Sequence, residues 1–197
     1  MKLFLKGERC TTSKCSLVRR SYIPGMHGPK QQGKGGSRMT GYGIQLREKQ
    51  KAKRTYRILE RQFFNYFQKA KIQKGDTGAN IFKFLEMRLD NAVFRAGFAV
   101  SRDLARQLVS HGHILVNGKK VNIPSYQLKL KDKVSLKKKT ADSEHFKALA
   151  ENLRSKEVAD WLVVDADTMT VTVLDMPNSE KQKSGFDMKA IVEYYSK

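Results

Sequence analysis

A tight β-hairpin preceded by a short helix is the clearest structural signal in this 197-residue chain. Asn117-Gly118 lies between two β-prone runs, residues 113–116 and 119–123. Both central residues of a two-residue hairpin turn need positive φ, which Asn and Gly adopt readily. A further strand is predicted at about 133–136. The hairpin and this strand together predict a small antiparallel sheet.

The helix before the hairpin is predicted from Arg102 to about Ser110. Ser101 is a natural N-cap, and Gly112 suits the left-handed position that follows a helix end. Arg102 and Arg106 are four residues apart and therefore share one face of the helix. Two outward arginines can lie along a ridge of phosphates, whereas the plainer interpretation is a surface helix with solvated arginines.

The N-terminal part predicts a basic extension followed by helices. Residues 1–43 lack clean periodicity and concentrate Gly and Pro, so we expect them to become ordered on a partner. From Ile44 good helix formers follow, and apolar residues recur three and four apart as far as Ala70. After a break at 75–78 another helix is predicted, with Thr77 as its candidate N-cap.

The C-terminal part predicts a polar helix at about 142–156. A second hairpin is predicted to pair about 161–164 with 169–174, and a final helix covers about 188–195. These elements alternate between helical and β periodicity, which favours an α+β class.

The charge of the chain is large and unevenly distributed. There are 39 Lys and Arg against 19 Asp and Glu, a formal net charge of +20. Residues 1–57 carry +13, residues 58–139 carry +11 and residues 140–197 carry −4. A charge of this size repels itself in the folded state unless a polyanion neutralises it. The partner is therefore expected against the first two thirds of the chain.

Nucleic acid and an anionic membrane are the two candidate polyanions. No run approaches the ~20 apolar residues of a membrane-spanning helix, so no membrane partner is expected. The chain has no Walker-type loop, no G-x-S-x-G elbow and no H-E-x-x-H motif, so nothing indicates an enzyme. Folded RNA is favoured over a DNA operator, because double-helical RNA is read mostly through its shape and backbone.

The candidate RNA-binding residues are basic side chains that contact phosphates, which give position and salt-dependent affinity. They are Arg19, Arg20, Lys30, Lys34 and Arg38 in the extension, Arg47, Lys49, Lys51, Lys53, Arg54 and Arg57 in the helical part that follows it, and Arg102, Arg106, Lys119 and Lys120 in the helix and hairpin. Four aromatic residues at helical spacing are better explained as core than as a base-stacking platform: Phe63, Phe64, Tyr66 and Phe67. Three tyrosines among basic residues are the better stacking candidates: Tyr22, Tyr42 and Tyr56.

Cys10 and Cys15 are spaced like half of a zinc site. Two thiolates do not complete a tetrahedral site; His27 could supply a third ligand, but no obvious residue supplies a fourth. Two interpretations remain open: the cysteines bind zinc together with further ligands, or they are two reduced, packed thiols. The residues favour the second. Two cysteines without a secretory signal also predict a reducing, intracellular compartment.

Six motifs are long enough to be specific: GIQLREKQ at 43–50, LERQF at 59–63, RLDN at 88–91, ARQLVSHG at 105–112, VNGKKVNIPSY at 116–126 and VEYYSK at 192–197. Through them, and from about Leu3 to the last residue, the chain closely resembles the small-subunit ribosomal protein number four (uS-four) family in its bacterial or organellar form. With the predicted elements, this resemblance implies an α+β protein. Its parts are a basic N-terminal extension at 1–43, a mostly helical domain at 44–89 with 161–197 packing back on it, and an inserted helix-hairpin RNA-binding module with a small antiparallel sheet at 90–160.

The resemblance also implies a function. The family binds small-subunit (16S-type) ribosomal RNA directly and early, at a junction of helices in the 5′ domain, and nucleates assembly on a cytoplasmic or organellar ribosome. Its implied neighbours are small-subunit proteins number five and number three and the messenger RNA where it enters the subunit. Contact with protein number five is linked to decoding accuracy, and some members repress their own messenger.

One departure from the family concerns the metal. Many relatives begin with a longer segment whose Cys-x-x-Cys pair completes a four-cysteine zinc site with a pair like Cys10 and Cys15. Here the sequence begins at what looks like the middle of that region. Zinc is therefore expected only if a further N-terminal pair exists.

Two other functional classes use the same module. An RNA-modifying enzyme would need a second, catalytic domain with an Asp in a substrate pocket, for which this chain has no length left. A free-standing regulator or ribosome-rescue factor is usually shorter and need not have the helical first domain. The sequence therefore favours a structural constituent of the small ribosomal subunit.

Overall fold

The computed structural model describes residues 2–22, 25, 39–141, 146, 158–179 and 185–196. Within these ranges the chain is α+β, as predicted, with helices and a five-stranded antiparallel sheet. Apart from Phe146, the predicted polar helix lies outside the described residues. None of the described helices combines the length and apolar character that crossing a membrane requires.

The described helices and strands follow the predicted order, except that two short helices, at Ser16–Arg19 and Lys138–Ala141, were not predicted. The helices are α1 (Ser16–Arg19), α2 (Gly41–Thr55), α3 (Glu60–Ile72), α4 (Thr77–Glu86), α5 (Leu89–Arg95), α6 (Arg102–Ser110), α7 (Lys138–Ala141) and α8 (Met188–Ser196). The strands are β1 (Ile114–Val116), β2 (Lys119–Lys120), β3 (Lys133–Leu136), β4 (Leu162–Asp165) and β5 (Thr170–Val173).

The segment before α2 packs partly on the chain itself. A 3₁₀ helix spans Gly7–Cys10, and Cys15 is buried just before α1. Gly7 has φ +55°, and a Cβ atom there would lie 2.6 Å from the carbonyl oxygen of Val100. Only Gly permits this approach. This part of the predicted extension therefore lies against the turn that precedes α6.

Helices α2, α3, α4 and α8 bury one shared core. Phe63 and Phe67 of α3 are buried there, as predicted, with Ile81 from α4 and Ile191 from α8. Tyr195 of α8 covers α3, with its ring centroid 5.0 Å from that of Phe67. The prediction of core packing is therefore confirmed for Phe63 and Phe67, with Tyr66 packed against the same cluster. It is wrong for Phe64, which lies at the edge of the cluster beside Phe67 and Tyr195 and is 41% exposed.

Side-chain caps fix where the helices begin. Ser101 accepts a hydrogen bond from the backbone N–H of Leu104 at 3.2 Å, as the sequence predicted. At α4 the cap is Asp76, which accepts from the N–H of Ala79 at 2.7 Å. The predicted N-cap, Thr77, is therefore wrong by one residue. The carboxylate of Asp76 caps the first turn, and Thr77 is already helical.

Helices α5 and α6 pack on one face of the sheet. The strand order is β2-β1-β3-β5-β4, and every neighbouring pair is antiparallel. Alternate strand residues point into the core beneath: Ile114, Val116, Val134, Leu136, Val171 and Val173. The predicted hairpin joins β1 to β2 through Asn117 and Gly118, which have φ +49° and +77°.

The structure corrects the expected placement of residues 161–197. Strand β5 pairs with β3 through Val134 and Val171, so the second hairpin extends the sheet of the RNA-binding module. Of this segment, α8 and Phe186 belong to the core of the helical part. The reason is register: Val171 and Val173 face the same side of the sheet as Val134, and their pairing buries all three.

Glu60 joins α2, α3 and α8 through a charged cluster. Lys49 is buried and donates to Glu60 at 2.6 Å, and Lys53 donates to its other oxygen at 3.1 Å. Tyr195 also donates to Glu60, at 2.7 Å. The ammonium of Lys49 lies 4.4 Å from the ring centroid of Tyr194. Lys49 therefore stabilises helix packing, and its prediction as a phosphate contact is corrected.

Replacing Glu60 by Gln is expected to reduce stability most at neutral pH. Burial alone raises the pKa of Glu60, but hydrogen bonds from Lys49, Tyr195 and Lys53 outweigh it and lower the pKa from 4.5 to about 2. Because the folded-state pKa is depressed, the stabilisation is complete above pH 4.5 and is lost as the pH falls towards 2. Chemical denaturation should therefore show the largest margin between wild type and Glu60→Gln at neutral pH, and a shrinking margin in acid.

Glu193→Gln is the matched control, because it removes one carboxylate from the exposed face of α8. If wild type and Glu60→Gln lost stability in parallel as the pH fell, the role given to Glu60 would be wrong.

Candidate RNA-binding cleft

The basic residues at the end of α2 and the start of α6 line one cleft. It has a volume of about 620 Å³ and is lined by Arg54, Arg57, Arg102 and Arg106 among others. Leu59 and Phe94 form apolar parts of its wall. The N-terminal segment closes a further side with residues 4–6. Predicted phosphate contacts from two separate parts of the sequence are thus brought together.

Arg102 is half-buried in the wall of this cleft rather than fully outward. Its guanidinium carbon lies 4.4 Å from the ring centroid of Phe94 and 5.0 Å from that of Tyr56. Its Nε donates to Oδ1 of Asn91 at 2.8 Å. Burial lowers the pKa of Arg102, while Tyr56 and Glu86 act in the opposite direction. The prediction that Arg102 points outward along a phosphate ridge is therefore wrong. Its guanidinium is held between two aromatic rings at the edge of the cleft.

Arg57 and Arg106 form the rim of the cleft and are held by acidic residues. Arg57 forms an ion pair with Asp103, and Arg106 lies 3.5 Å from Asp90. Arg106 also donates to the backbone carbonyl of Arg57 at 3.1 Å. These contacts orient two guanidinium groups that stay open to solvent. An oriented guanidinium can bind a phosphate with two parallel hydrogen bonds.

Beneath the cleft, a buried carboxylate joins the helical part to the module. Glu86 is fully buried and accepts two hydrogen bonds from Arg95, both at 2.9 Å. Tyr56 donates to it at 2.6 Å and Asn91 at 2.9 Å. Burial alone raises the pKa of Glu86, but the contacts with Arg95 and Tyr56 outweigh it and lower the pKa. Because Asn91 and Tyr56 also contact Arg102, this network fixes the cleft wall.

The basic residues of α2 divide between two faces. Arg47, Lys51 and Arg54 follow helical spacing and line shallow hollows beside the N-terminal segment. Arg47 and Arg54 are exposed, whereas Lys51 is paired with Glu48. The other face carries Lys49 and Lys53, which are paired with Glu60. Only the first face remains a candidate for phosphate contact.

The hairpin presents Lys119 and Lys120, both exposed, on edge strand β2. Gly112 has φ +73°, as predicted for the position after α6, and a Cβ atom there would overlap Cε of Lys120. Lys120 therefore folds over the end of α6, where the helix dipole favours a cation. Gly112 leaves the space that this placement needs.

Replacing Gly112 by Ala is expected to cost about 1–2 kcal/mol of stability, because a left-handed conformation disfavours a Cβ atom. It should also displace Lys120, whose flexible side chain must move aside. Gly41→Ala is the control, since a Cβ atom there meets nothing within 4 Å and Ala favours helix. Thermal denaturation compares the two, and equal effects would show that the conformation of Gly112 is not what matters.

The remaining predicted sites are placed as follows. Arg19 ends α1 and Arg20 follows it, and both are exposed. Lys30, Lys34, Arg38 and His27 lie outside the described residues. Of the stacking candidates, Tyr56 is buried and bonded to Glu86, so its prediction is corrected, whereas Tyr42 is 54% exposed beside Tyr194.

The two cysteines are free thiols in the structure. Cys10 accepts a hydrogen bond from the N–H of Lys6 at 3.3 Å. The N–H of Leu17, with further help from Val18, lowers the pKa of Cys15 despite partial desolvation. Among the described residues no three His, Cys, Asp or Glu come together as metal ligands. The ligands present there do not fit a closed tetrahedral zinc site.

The sequence did not indicate that Glu86, Phe4 or Lys6 belongs to the cleft or to the network beneath it. Glu86 had a usable signal, because it lies four residues after the buried Phe82 and directly after Leu85, on an apolar helix face. A carboxylate on such a face must be paired if it is buried. Phe4 belongs to the apolar run Leu3-Phe4-Leu5 inside a basic segment, which indicates packing but not a site.

Comparisons with known proteins agree with this architecture. The family model described as "Ribosomal protein S4/S9 N-terminal domain" matches residues 1–86, and the one described as "S4 domain" matches residues 87–134. Proteins named small ribosomal subunit protein uS4 are similar over all of this chain and 92% of their own length. That of Thermotoga petrophila is 50% identical, that of Clostridium botulinum 51% and that of Heliobacterium modesticaldum 49%. The chain belongs to the small ribosomal subunit protein uS4 family.

Proposed function

We propose that this chain binds small-subunit ribosomal RNA directly and nucleates the folding of its 5′ domain. Its family makes it a ribosome-associated structural protein of the bacterial type, not an enzyme. The observation that carries the proposal is the convergence of Arg54, Arg57, Arg102 and Arg106 on one cleft. Two of these arginines come from the helical part and two from the module.

The cleft suits RNA because its cations are held in place before any ligand binds. Arg57 and Arg106 are oriented by Asp103 and Asp90, and Arg102 by Asn91 and two rings. Side chains that are already ordered lose less conformational entropy on binding. A rigid array of guanidinium groups can therefore match one arrangement of phosphates, which favours a folded RNA over an arbitrary polyanion.

The exposed lysines of the sheet extend the basic surface. Lys119 and Lys120 lie on β2, Lys133 begins β3, and two further exposed lysines flank β3 at Lys131 and Lys137. Lysine makes point-charge contacts with phosphates, so these residues would add affinity rather than shape recognition.

The acidic C-terminal third suits a different partner. Residues 140–197 have a net charge of −4, and the hairpin of β4 and β5 exposes Asp165 and Asp167. RNA would be repelled there, whereas basic proteins would be attracted. This supports, as part of the proposal, contact with small-subunit proteins number five and number three near the incoming messenger RNA. A role in decoding accuracy and repression of its own messenger rest on the family resemblance.

Chemical footprinting on protein-free small-subunit ribosomal RNA tests the assembly role. We expect this chain alone to protect a helical junction in the 5′ domain before any other ribosomal protein is added. A variant with Arg54→Gln and Arg106→Gln should give weaker protection at the same concentration. Protection that appears only after other proteins have bound would contradict nucleation.

A further inference from the structure

The cleft has a property that phosphate binding to a double helix does not explain. Two bulky apolar side chains at its mouth face solvent: Phe4 is 60% exposed and Leu59 is 72% exposed. They come from different parts of the chain, since Phe4 belongs to the N-terminal segment and Leu59 precedes α3. Exposed apolar groups beside guanidinium groups suit a ligand with one flat apolar part and one anionic part.

Arg102 provides a second, independent observation. The described residues supply no carboxylate within ion-pair distance of its guanidinium, and its only hydrogen bond there is from Nε to Asn91. The other nitrogens are therefore left for a ligand in the cleft that Arg102 lines. Burial lowers the pKa of Arg102, and the nearby Tyr56, Glu86 and Asp90 offset this effect only in part. A phosphate placed here would compensate it.

The dimensions of the cleft select among RNA structures. A volume of about 620 Å³ falls within the range of roughly 300–1,000 Å³ for small-molecule sites. It admits a single nucleotide but is too small for a double helix. Proteins that recognise RNA loops and bulges commonly stack an unpaired base on an aromatic ring or a guanidinium plane.

We propose that this cleft binds one unpaired nucleotide of the RNA, with its base against Phe4 and Leu59 and its phosphate on Arg102. The inference rests on the proposed RNA-binding function and adds the kind of nucleotide that is recognised. Arg54 and Lys6 line the same cleft and provide charge for the neighbouring phosphates. The protein then reads an unpaired position in the RNA, while its other basic residues contact the backbone.

The test uses the full chain and a fluorescein-labelled hexauridylate, a single-stranded RNA with little stacking of its own. Phe4→Ala should weaken its binding about tenfold, since stacking on an aromatic ring is worth about that much per base. Binding to a blunt RNA duplex should change less than twofold. Ile72→Ala, which removes another exposed apolar side chain from the end of α3, is the matched control and should change neither.

Two further measurements keep the proposal falsifiable. Hexauridylate with 5-iodouridine should cross-link to Phe4 on irradiation, with the site identified by mass spectrometry. Arg102→Lys keeps the charge but loses the planar guanidinium, and should weaken hexauridylate binding while thermal denaturation confirms folding. Cross-links confined to Tyr22 or Tyr42, or Phe4→Ala binding like wild type, would overturn the proposal.

The same protein preparation separates failure of this inference from failure of the proposed function. If Phe4→Ala binds hexauridylate like wild type but wild type still prefers the 5′ domain of ribosomal RNA, only the nucleotide site is wrong. If wild type shows no preference for that RNA, the proposed function fails whatever the cleft binds.

Discussion

Replacing Arg95 by Met will destabilise the protein by roughly 3–5 kcal/mol, because it leaves the buried carboxylate of Glu86 without its cation. Glu86 is fully buried, and Arg95 supplies two of its hydrogen bonds. Without them, burial would dominate and raise the pKa of Glu86. The penalty should therefore be largest at neutral pH and smaller in acid, where the carboxyl group becomes protonated.

Urea denaturation of both proteins at neutral and acidic pH measures this effect. Arg61→Met, on the exposed face of α3, is the matched control and should change stability by less than about 0.5 kcal/mol. If Arg95→Met cost no more than Arg61→Met, the Glu86 network would not be what joins the helical part to the module.

The second large effect concerns RNA affinity. Changing Arg47, Arg54 and Arg106 together to Gln should weaken binding to the 5′ domain of small-subunit ribosomal RNA by roughly a thousandfold or more, since each hydrogen bond to a charged group contributes about 1.5–3 kcal/mol. The slope of log affinity against log salt should fall by about 2–3, because three phosphate contacts are lost. Filter binding across a salt series measures both quantities.

The matched control for this triple variant is Arg61, Lys69 and Lys71 changed together to Gln. These three residues are exposed on α3, and their substitution removes the same charge as the first triple variant does. A variant that only lowers the net charge should lose little affinity. Equal losses in the two triple variants would mean that overall charge, rather than the face of α2 and the cleft, determines binding.

Local signals account for the elements that the sequence predicted well. Ser101, Gly112 and Asn117-Gly118 each need a particular backbone conformation or cap, so α6 and the first hairpin could be located closely. The hairpin of β4 and β5 was also predicted, but its sheet was not. Turn residues specify a hairpin, whereas the pairing of β5 with β3 depends on burial that only the folded chain provides.

Helical spacing explains both the success and the errors at the site. It correctly placed Arg102 and Arg106 on one side of α6, and both line the cleft. It could not show that Tyr56, distant in sequence, covers Arg102, or that Glu60 pairs with Lys49. Tertiary packing decides whether a basic residue faces solvent or pairs with a carboxylate. The periodicity of a single helix carries no information about these contacts with other elements.

The preference for ribosomal RNA is the most direct test of the account. Binding of the full chain to the 5′ domain of small-subunit ribosomal RNA should be measured against an equal mass of transfer RNA across a salt titration. We expect a preference for the ribosomal RNA that persists at moderate salt, together with affinity that falls steeply as salt rises. Equal binding to both RNAs, lost together as salt increases, would show a nonspecific polycation and contradict direct recognition of the 5′ domain.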